Sequence, residues 1–194
     1  PGAALPKPIS YPKIRSTAAD QEKTLAELGL ERPARLVAFC PGAEYGPAKR
    51  WPSTHFAALA KKLAERGCAI WLFGSPKDHA VAEEILQRAP GLCRNLCGAT
   101  SLGQAVDLLA MAELVVCNDS GLMHVAAALD RPLVTLYGSS SPGFTPPLSD
   151  QADILSLNLD CSPCFKRKCP LGHLDCLNKL MPERVLAAAL KRIA

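Results

Sequence analysis

The chain has 194 residues, a net charge of +4 and a hydrophobic fraction of 48%, with aromatics at only 5%. That is enough apolar material for one compact domain, or two at most, with Leu, Val, Ile and Ala forming most of the core. The charge suits an anionic ligand but is too mild to argue for nucleic acid, and no apolar run approaches the ~20 residues of a membrane span. The opening Pro1-Gly2-Ala3-Ala4 lacks Met and shows no signal-peptide pattern, which fits a fragment. Residues 1–15 hold Pro1, Pro6, Pro8 and Pro12 and read as an extended linker or domain edge; residues 16–194 read as one domain. A helix is expected from Ala18 to Leu30, ending before Pro33. Leu36–Cys40 is a continuous apolar run, the pattern of a strand buried on both faces. Phe56, Leu59, Ala60 and Leu63 recur at helical spacing in a helix from Ser53 to Arg66, with Gly67 as its stop. A strand Ala69–Phe73, a helix Lys77–Arg88, a short strand near Leu92–Leu96 and a helix Leu102–Ala112 follow. A strand Leu114–Cys117, a helix opening at Gly121 and a strand Leu133–Tyr137 complete the alternation. Ile154–Leu157 is a candidate sixth strand, and Pro182 opens a last helix over 182–193 with Val185, Leu186, Ala189, Leu190 and Ile193 on one face. Strands alternating with crossover helices imply an α/β fold, a Rossmann-like doubly wound parallel sheet with helices on both faces.

In such a sheet, ligands bind outside the carboxyl ends of the strands. The turn after each of the five main strands is polar and carries glycine: Pro41 to Pro52, Gly74-Ser75-Pro76-Lys77-Asp78, Gly98-Ala99-Thr100-Ser101, Asn118 to Gly121, and Gly138 to Gly143. All five are therefore expected to crowd one edge. Within the fourth, Asn118-Asp119-Ser120-Gly121-Leu122-Met123-His124 is a strand end feeding a helix N-terminus. Unpaired N–H groups and the positive end of the helix dipole make that a seat for an anion, most often phosphate. Asp119 or Ser120 is expected to cap the helix, Gly121 to let a ligand approach the backbone, and His124 to face the mouth of the site one turn in.

Three ordered motifs resemble one family. Pro41-Gly42-Ala43 with Lys49-Arg50-Trp51-Pro52, then Asn118 to His124, then Cys161-Ser162-Pro163-Cys164 with Cys169-Pro170, are similar to the heptosyltransferases of lipopolysaccharide core synthesis, glycosyltransferase family 9. The resemblance runs from about Arg35 to the end. It implies the GT-B fold, two Rossmann-like halves facing a cleft, with this chain as the C-terminal, nucleotide-sugar-binding half and the N-terminal half absent. It further implies an inverting transfer of heptose from ADP-L-glycero-D-manno-heptose to the lipopolysaccharide inner core, with the general base in the other half. The location it implies is cytoplasmic, with at most peripheral contact with the inner membrane. Rival readings are another nucleotide-sugar transferase or epimerase on the same architecture, and a zinc-bearing interaction module without catalysis.

Transfer from a nucleotide diphosphate builds negative charge on the departing group, which a metal, a helix N-terminus or a cation must stabilise. The chain contains no Asp-x-Asp metal motif, so no cofactor is expected and the work falls to the helix opening at Gly121, assisted by Lys49. Lys49 is equally readable as a solvated loop lysine. His124 is a candidate contact to a phosphate or to the donor sugar, or a helix histidine satisfied by a backbone carbonyl. Asp119 caps the helix, orients a ligand hydroxyl, or both; Ser120 and Gly121 act through backbone N–H groups. By resemblance, Asp78 takes the acidic ribose contact and Thr100 the place beside the base, while Gly42, Ala43, Glu44, Gly74 and Ser75 join the donor contacts. Glu44-Tyr45-Gly46-Pro47 is a glycine- and proline-broken loop, lying over the diphosphate in the family, and Trp51 reads as core packing at a helix start.

Of nine cysteines, Cys40, Cys68, Cys93, Cys97 and Cys117 lie in or beside apolar runs and read as small buried hydrophobes in a reducing compartment, the cytoplasm. The rest fall in a Cys-rich loop, 161–176. Cys161, Cys164, Cys169 and Cys176 have the spacing C-x2-C-x4-C-x6-C, with His173 inside, and could bind tetrahedral zinc, although the usual paired C-x2-C occurs only once. The plainer reading is a compact loop packed by its thiols with Pro163 and Pro170, able to form disulfides on oxidation. Lys166-Arg167-Lys168 within it either meets an anionic acceptor or membrane surface, or is a solvated face.

Overall fold

The computed structural model describes residues 10–193. Pro1, Pro6 and Pro8 of the expected linker lie outside the described residues; its later part is docked, with Ile14 donating its N–H to the Ala128 carbonyl at 2.8 Å. The elements are α1 (Ala18–Glu27), β1 (Leu36–Cys40), α2 (Ser53–Ala64), β2 (Ala69–Leu72), α3 (His79–Arg88), β3 (Cys93–Asn95), α4 (Leu102–Ala110), β4 (Leu114–Asn118), α5 (Gly121–Ala128), β5 (Leu133–Leu136), β6 (Ala152–Leu155), α6 (Asp175–Asn178) and α7 (Pro182–Arg192). Six strands form one sheet in the order β3-β2-β1-β4-β5-β6, and every pairing is parallel. The chain thus winds outward from β1 through β2 and β3, returns to β4, and winds the other way through β5 and β6. The crevice between the carboxyl ends of β1 and β4 is the switch point, where such sheets bind ligands.

Strand period divides the core in two. Val37, Phe39 and Val116 point to one face, under α2, α3 and α7, with Trp51, Phe56 and Leu63. Leu36, Ala38, Cys40, Val115 and Cys117 point to the other, under α1, α4 and α5, with Phe73, Leu108 and Tyr137. Both faces are covered, which is why β1 and β4 are buried at every position and apolar throughout except for Asn118 at the end of β4.

Most boundaries moved by one to three residues. Helix α1 ends at Glu27 because Leu28 and Gly29 turn the chain, Gly29 taking φ +60. The expected start of α3 at Lys77 is a 3-10 turn, Pro76–Asp78, with the α-helix beginning at His79. A similar 3-10 turn over Pro47–Lys49 and the short α6 were not expected, since neither has a full turn of apolar periodicity to betray it. The sixth strand forms two residues earlier than expected, at Ala152–Leu155.

Candidate functional site

The five strand-end turns do gather at one edge, and four of them enclose a cavity of about 460 Å3. Gly42, Ala43 and Glu44 supply the wall after β1, Gly74, Ser75 and Asp78 the wall after β2, Thr100 the wall after β3, and Ser120 and Gly121 the wall after β4. Nine of the expected donor contacts therefore share one space. Leu102, Ala105, Leu122 and Val125 give it an apolar floor, which the sequence reading missed. The available signal was Leu102, a leucine directly after the serine of a capping-box pattern, Ser101 to Gln104.

Local chemistry explains the walls. Asn118, fully buried at the end of β4, accepts the Trp51 N–H at 3.0 Å and donates to the Pro41 carbonyl at 2.7 Å, fixing both ends of the turn after β1. Trp51 is buried as expected; its indole N–H donates to the Leu180 carbonyl at 2.7 Å, and its ring meets Phe56 edge-on. Asp78 accepts the Ser75 N–H and hydroxyl at 3.0 and 2.7 Å, so one of its oxygens is committed to a helix cap. Its carboxylate packs on Gly42, where a Cβ would sit 2.2 Å from the Asp78 Cγ. Only glycine permits that approach. Nothing lies within 4 Å of a Cβ placed on Gly121, so the protein leaves open space at the first residue of α5. At the mouth, Glu44 and Lys77 pair at 2.6 Å, and that contact holds the Glu44 carboxyl below its usual range.

Three expected site residues lie apart from this wall. Asp119 does not cap α5, and Ser120 makes no side-chain cap either. The Asp119 carboxylate is instead taken by Lys49, whose ammonium sits 2.6 Å away, and by the Thr145 hydroxyl at 3.2 Å. Lys49 is therefore no solvated loop lysine: its side chain is 16% exposed and that of Asp119 4%, and the ammonium also stands 5.2 Å from the Tyr45 ring centroid. His124 does not face the main cavity; it is exposed and borders a neighbouring apolar one with Pro12, Ile14 and Leu148.

The pair bridges the switch point, because Lys49 follows β1 and Asp119 follows β4. Leaving the first-turn N–H groups of α5 uncapped by side chains keeps the positive end of the helix beside open space. The arrangement can hold an anionic group between an ammonium and a helix start.

The apolar-run cysteines behave as packing. Cys40, Cys68, Cys97 and Cys117 are buried and Cys93 partly so, and burial pushes the Cys97 thiol up to about 12 and the Cys93 thiol to about 11. In the loop 161–176 all four thiols are free. Among the described residues, no three His, Cys, Asp or Glu side chains are set out to hold a metal ion. Among the described residues no helix is long and apolar enough to cross a membrane.

Comparison with known proteins agrees with this geometry. Residues 3–175 match the family model of glycosyltransferase family 9 (heptosyltransferase). The lipopolysaccharide heptosyltransferase 2 of Salmonella typhimurium is 47% identical over 186 residues, covering 94% of this chain and 53% of the relative. The solved E. coli ADP-heptose lps heptosyltransferase II superposes with a TM-score of 0.86 at 44% identity, covering 97% of this chain and 55% of that one. An E. coli heptosyltransferase solved with ADP gives a TM-score of 0.66 at 25% identity, covering 96% and 52%. The chain thus spans about half the length of the relatives it matches. With the family model covering most of its length, the chain belongs to glycosyltransferase family 9, the heptosyltransferases.

Proposed function

We propose that this chain is the donor-binding half of an inverting heptosyltransferase of GT-B architecture, which moves heptose from ADP-L-glycero-D-manno-heptose to the inner core of lipopolysaccharide. The observation that carries the reading is the Lys49–Asp119 pair at 2.6 Å across the switch point, beside the open N-terminus of α5. The diphosphate sits at the α5 start, where Gly121 leaves room, with the Lys49 ammonium shared between Asp119 and a phosphate oxygen. Adenosine lies along the walls after β2 and β3, with Asp78 at the ribose, Thr100 near the base and the apolar floor beneath it. His124 stands nearer the sugar than the nucleotide. As the acceptor hydroxyl attacks the anomeric carbon, the bond to the diphosphate breaks on the opposite face. The helix dipole and Lys49 then stabilise the charge that develops there, with no divalent cation.

The general base and most of the acceptor site belong to the N-terminal half, which the relatives' extra length accommodates. The whole protein then works in the cytoplasm, at most peripherally at the inner membrane, where the lipid-linked acceptor is found. Calorimetric titration tests the donor assignment. ADP binds this chain better than UDP, and EDTA leaves its affinity unchanged. A preference for UDP, or affinity that vanishes with EDTA, defeats the reading. The chain alone binds nucleotide without turnover, and heptosyl transfer by the purified 194-residue chain contradicts the assignment of the base to the other half.

A further inference from the structure

Cys161, Cys164, Cys169 and Cys176 border one small cavity, whose wall also includes Ala48 and Ser139. Cys161 is exposed and the other three are half-buried, so small solutes can reach them. The Ser139 side chain is 1% exposed, and its hydroxyl has no partner, a costly arrangement unless some group in the cavity answers it. The backbone N–H groups around Leu174, with those of Leu171, Gly172 and His173, favour the Cys169 thiolate and hold its thiol below the usual range. Burial raises the Cys176 thiol, as do the neighbouring sulfurs of Cys164, Cys169 and Cys161. Of these sulfurs, Cys169 thus ionises more readily than Cys176.

The loop is fastened to the donor site. Ala48 donates its N–H to the Arg167 carbonyl at 3.1 Å, the Arg167 Nε donates to the Tyr45 carbonyl at 2.6 Å, and the Tyr45 hydroxyl donates to the Phe165 carbonyl at 2.8 Å. A Cβ on Gly46 would meet the Arg167 carbonyl oxygen at 2.6 Å, so the two segments touch main chain to main chain. Phe165 donates its N–H to the Ser139 carbonyl at 2.7 Å, and Leu177 packs on Gly138, anchoring the loop at both ends to the turn after β5.

We propose that this cavity is an oxidisable thiol site, in which hydrogen peroxide links Cys169 to Cys176 and so displaces the turn that carries Lys49. The Cys169 thiolate attacks one peroxide oxygen, the O–O bond breaks and hydroxide leaves, to be protonated to water. The resulting sulfenic acid, two electrons oxidised, is attacked by Cys176; the S–S bond forms, the S–O bond breaks, and the departing hydroxide takes the Cys176 proton as a second water. Ser139 supplies a hydrogen bond to the sulfur anion or sulfenate. Drawing the two sulfurs together shortens the strap between its Phe165 and Leu177 anchors and pulls on Ala48, one residue from Lys49.

The effect on donor affinity rests on the proposed function; the disulfide itself does not. The reduced chain is treated with hydrogen peroxide, its peptides are mapped by mass spectrometry, hydrogen exchange is followed over residues 44–50, and ADP is titrated before and after. Expected are a Cys169–Cys176 link, several-fold altered exchange at 44–50, and ADP affinity about tenfold weaker, all reversed by dithiothreitol. Cys169→Ser abolishes the link, while Cys176→Ser leaves a sulfenic acid on Cys169 that dimedone traps. Another pairing, unconnected oxidation of the four thiols, zinc or iron held stoichiometrically by the freshly purified chain, or a disulfide that leaves exchange at 44–50 unchanged would overturn the proposal. If the reduced chain binds no ADP, the donor reading fails, and the peptide map and exchange still decide the thiol site.

Discussion

The carboxyl edge of the sheet has two unlike halves. Over β1 to β4 the candidate donor cavity is made from the ends of regular elements: each turn is bracketed by a strand of the sheet and the helix that follows it. Beyond β5 the chain runs from 156 to 174 without a helix or strand, held by side-chain and main-chain hydrogen bonds to turns already in place. The first half inherits its geometry from the core. The second has little core of its own and takes its geometry from the first, so a disturbance of either should register in the other through the contacts they share.

The largest disturbance is expected where the two halves share a side chain. Trp51 closes the turn after β1 through Asn118 and reaches the segment after α6 through the Leu180 carbonyl. Trp51→Ala removes a fully buried indole and should cost about 4 kcal/mol in a urea titration. Hydrogen exchange should rise both at 41–50 and at 174–181. Loss confined to one of the two would show that they are independent.

Next is the ion pair. Lys49→Ala leaves the Asp119 carboxylate buried with only Thr145 to answer it, which should cost about 3 kcal/mol. It should also abolish ADP binding. Adding Asp119→Asn removes the orphaned charge, so the double variant should recover most of the stability and none of the affinity. Recovery of both would reduce Lys49 to a structural lysine.

The same contrast decides what could be read from sequence. Strands β1 and β4 were legible because burial on both faces makes them uninterrupted apolar runs, and α2 because Phe56, Leu59, Ala60 and Leu63 repeat at helical spacing. Once the parallel order follows, so does the meeting of Gly42, Gly74, Thr100 and Gly121 at one cavity, because strand ends share an edge. Partner choice was not legible. Nothing local shows that Asp119 would turn from its helix to a lysine 70 positions earlier, or that His124 would border a different cavity. The Cys-rich loop was least legible, because its anchors at Tyr45, Ala48 and Ser139 are distant in sequence, and each uses a main-chain atom that any residue carries on at least one side.

A smaller effect separates site from scaffold. With no neighbour within 4 Å of its missing Cβ, Gly121→Val should leave the thermal midpoint within the scatter of surface substitutions. The new side chain would occupy the space assigned to the diphosphate, and ADP affinity should fall about tenfold, or 1.4 kcal/mol. Unchanged affinity would move the phosphate away from the α5 start.

The smallest expected effect lies far from both regions and tests whether the sheet edge at β6 holds independently of them. Arg192 on α7 grips Asp153 on β6 through two parallel hydrogen bonds, Nε at 2.9 Å and a terminal nitrogen at 3.0 Å. Those bonds hold the Asp153 carboxyl below its ordinary 3.8, although partial burial opposes them. Because the folded value is the lower one, the pair's stabilisation is fully present above the unfolded value near pH 4. It drains away as pH falls through the folded value below 3.8. Both side chains keep a quarter to a third of their exposure, so solvent screening limits the contribution to under about 1 kcal/mol. Asp153→Asn should therefore lower the urea midpoint slightly at pH 7 and progressively less below pH 4, with ADP affinity untouched throughout. A deficit that persisted undiminished at pH 2 would mean that the carboxylate's charge is not what joins α7 to the sheet, whereas no deficit at pH 7 would mean that apolar packing of Val185 and Ala189 carries the contact alone.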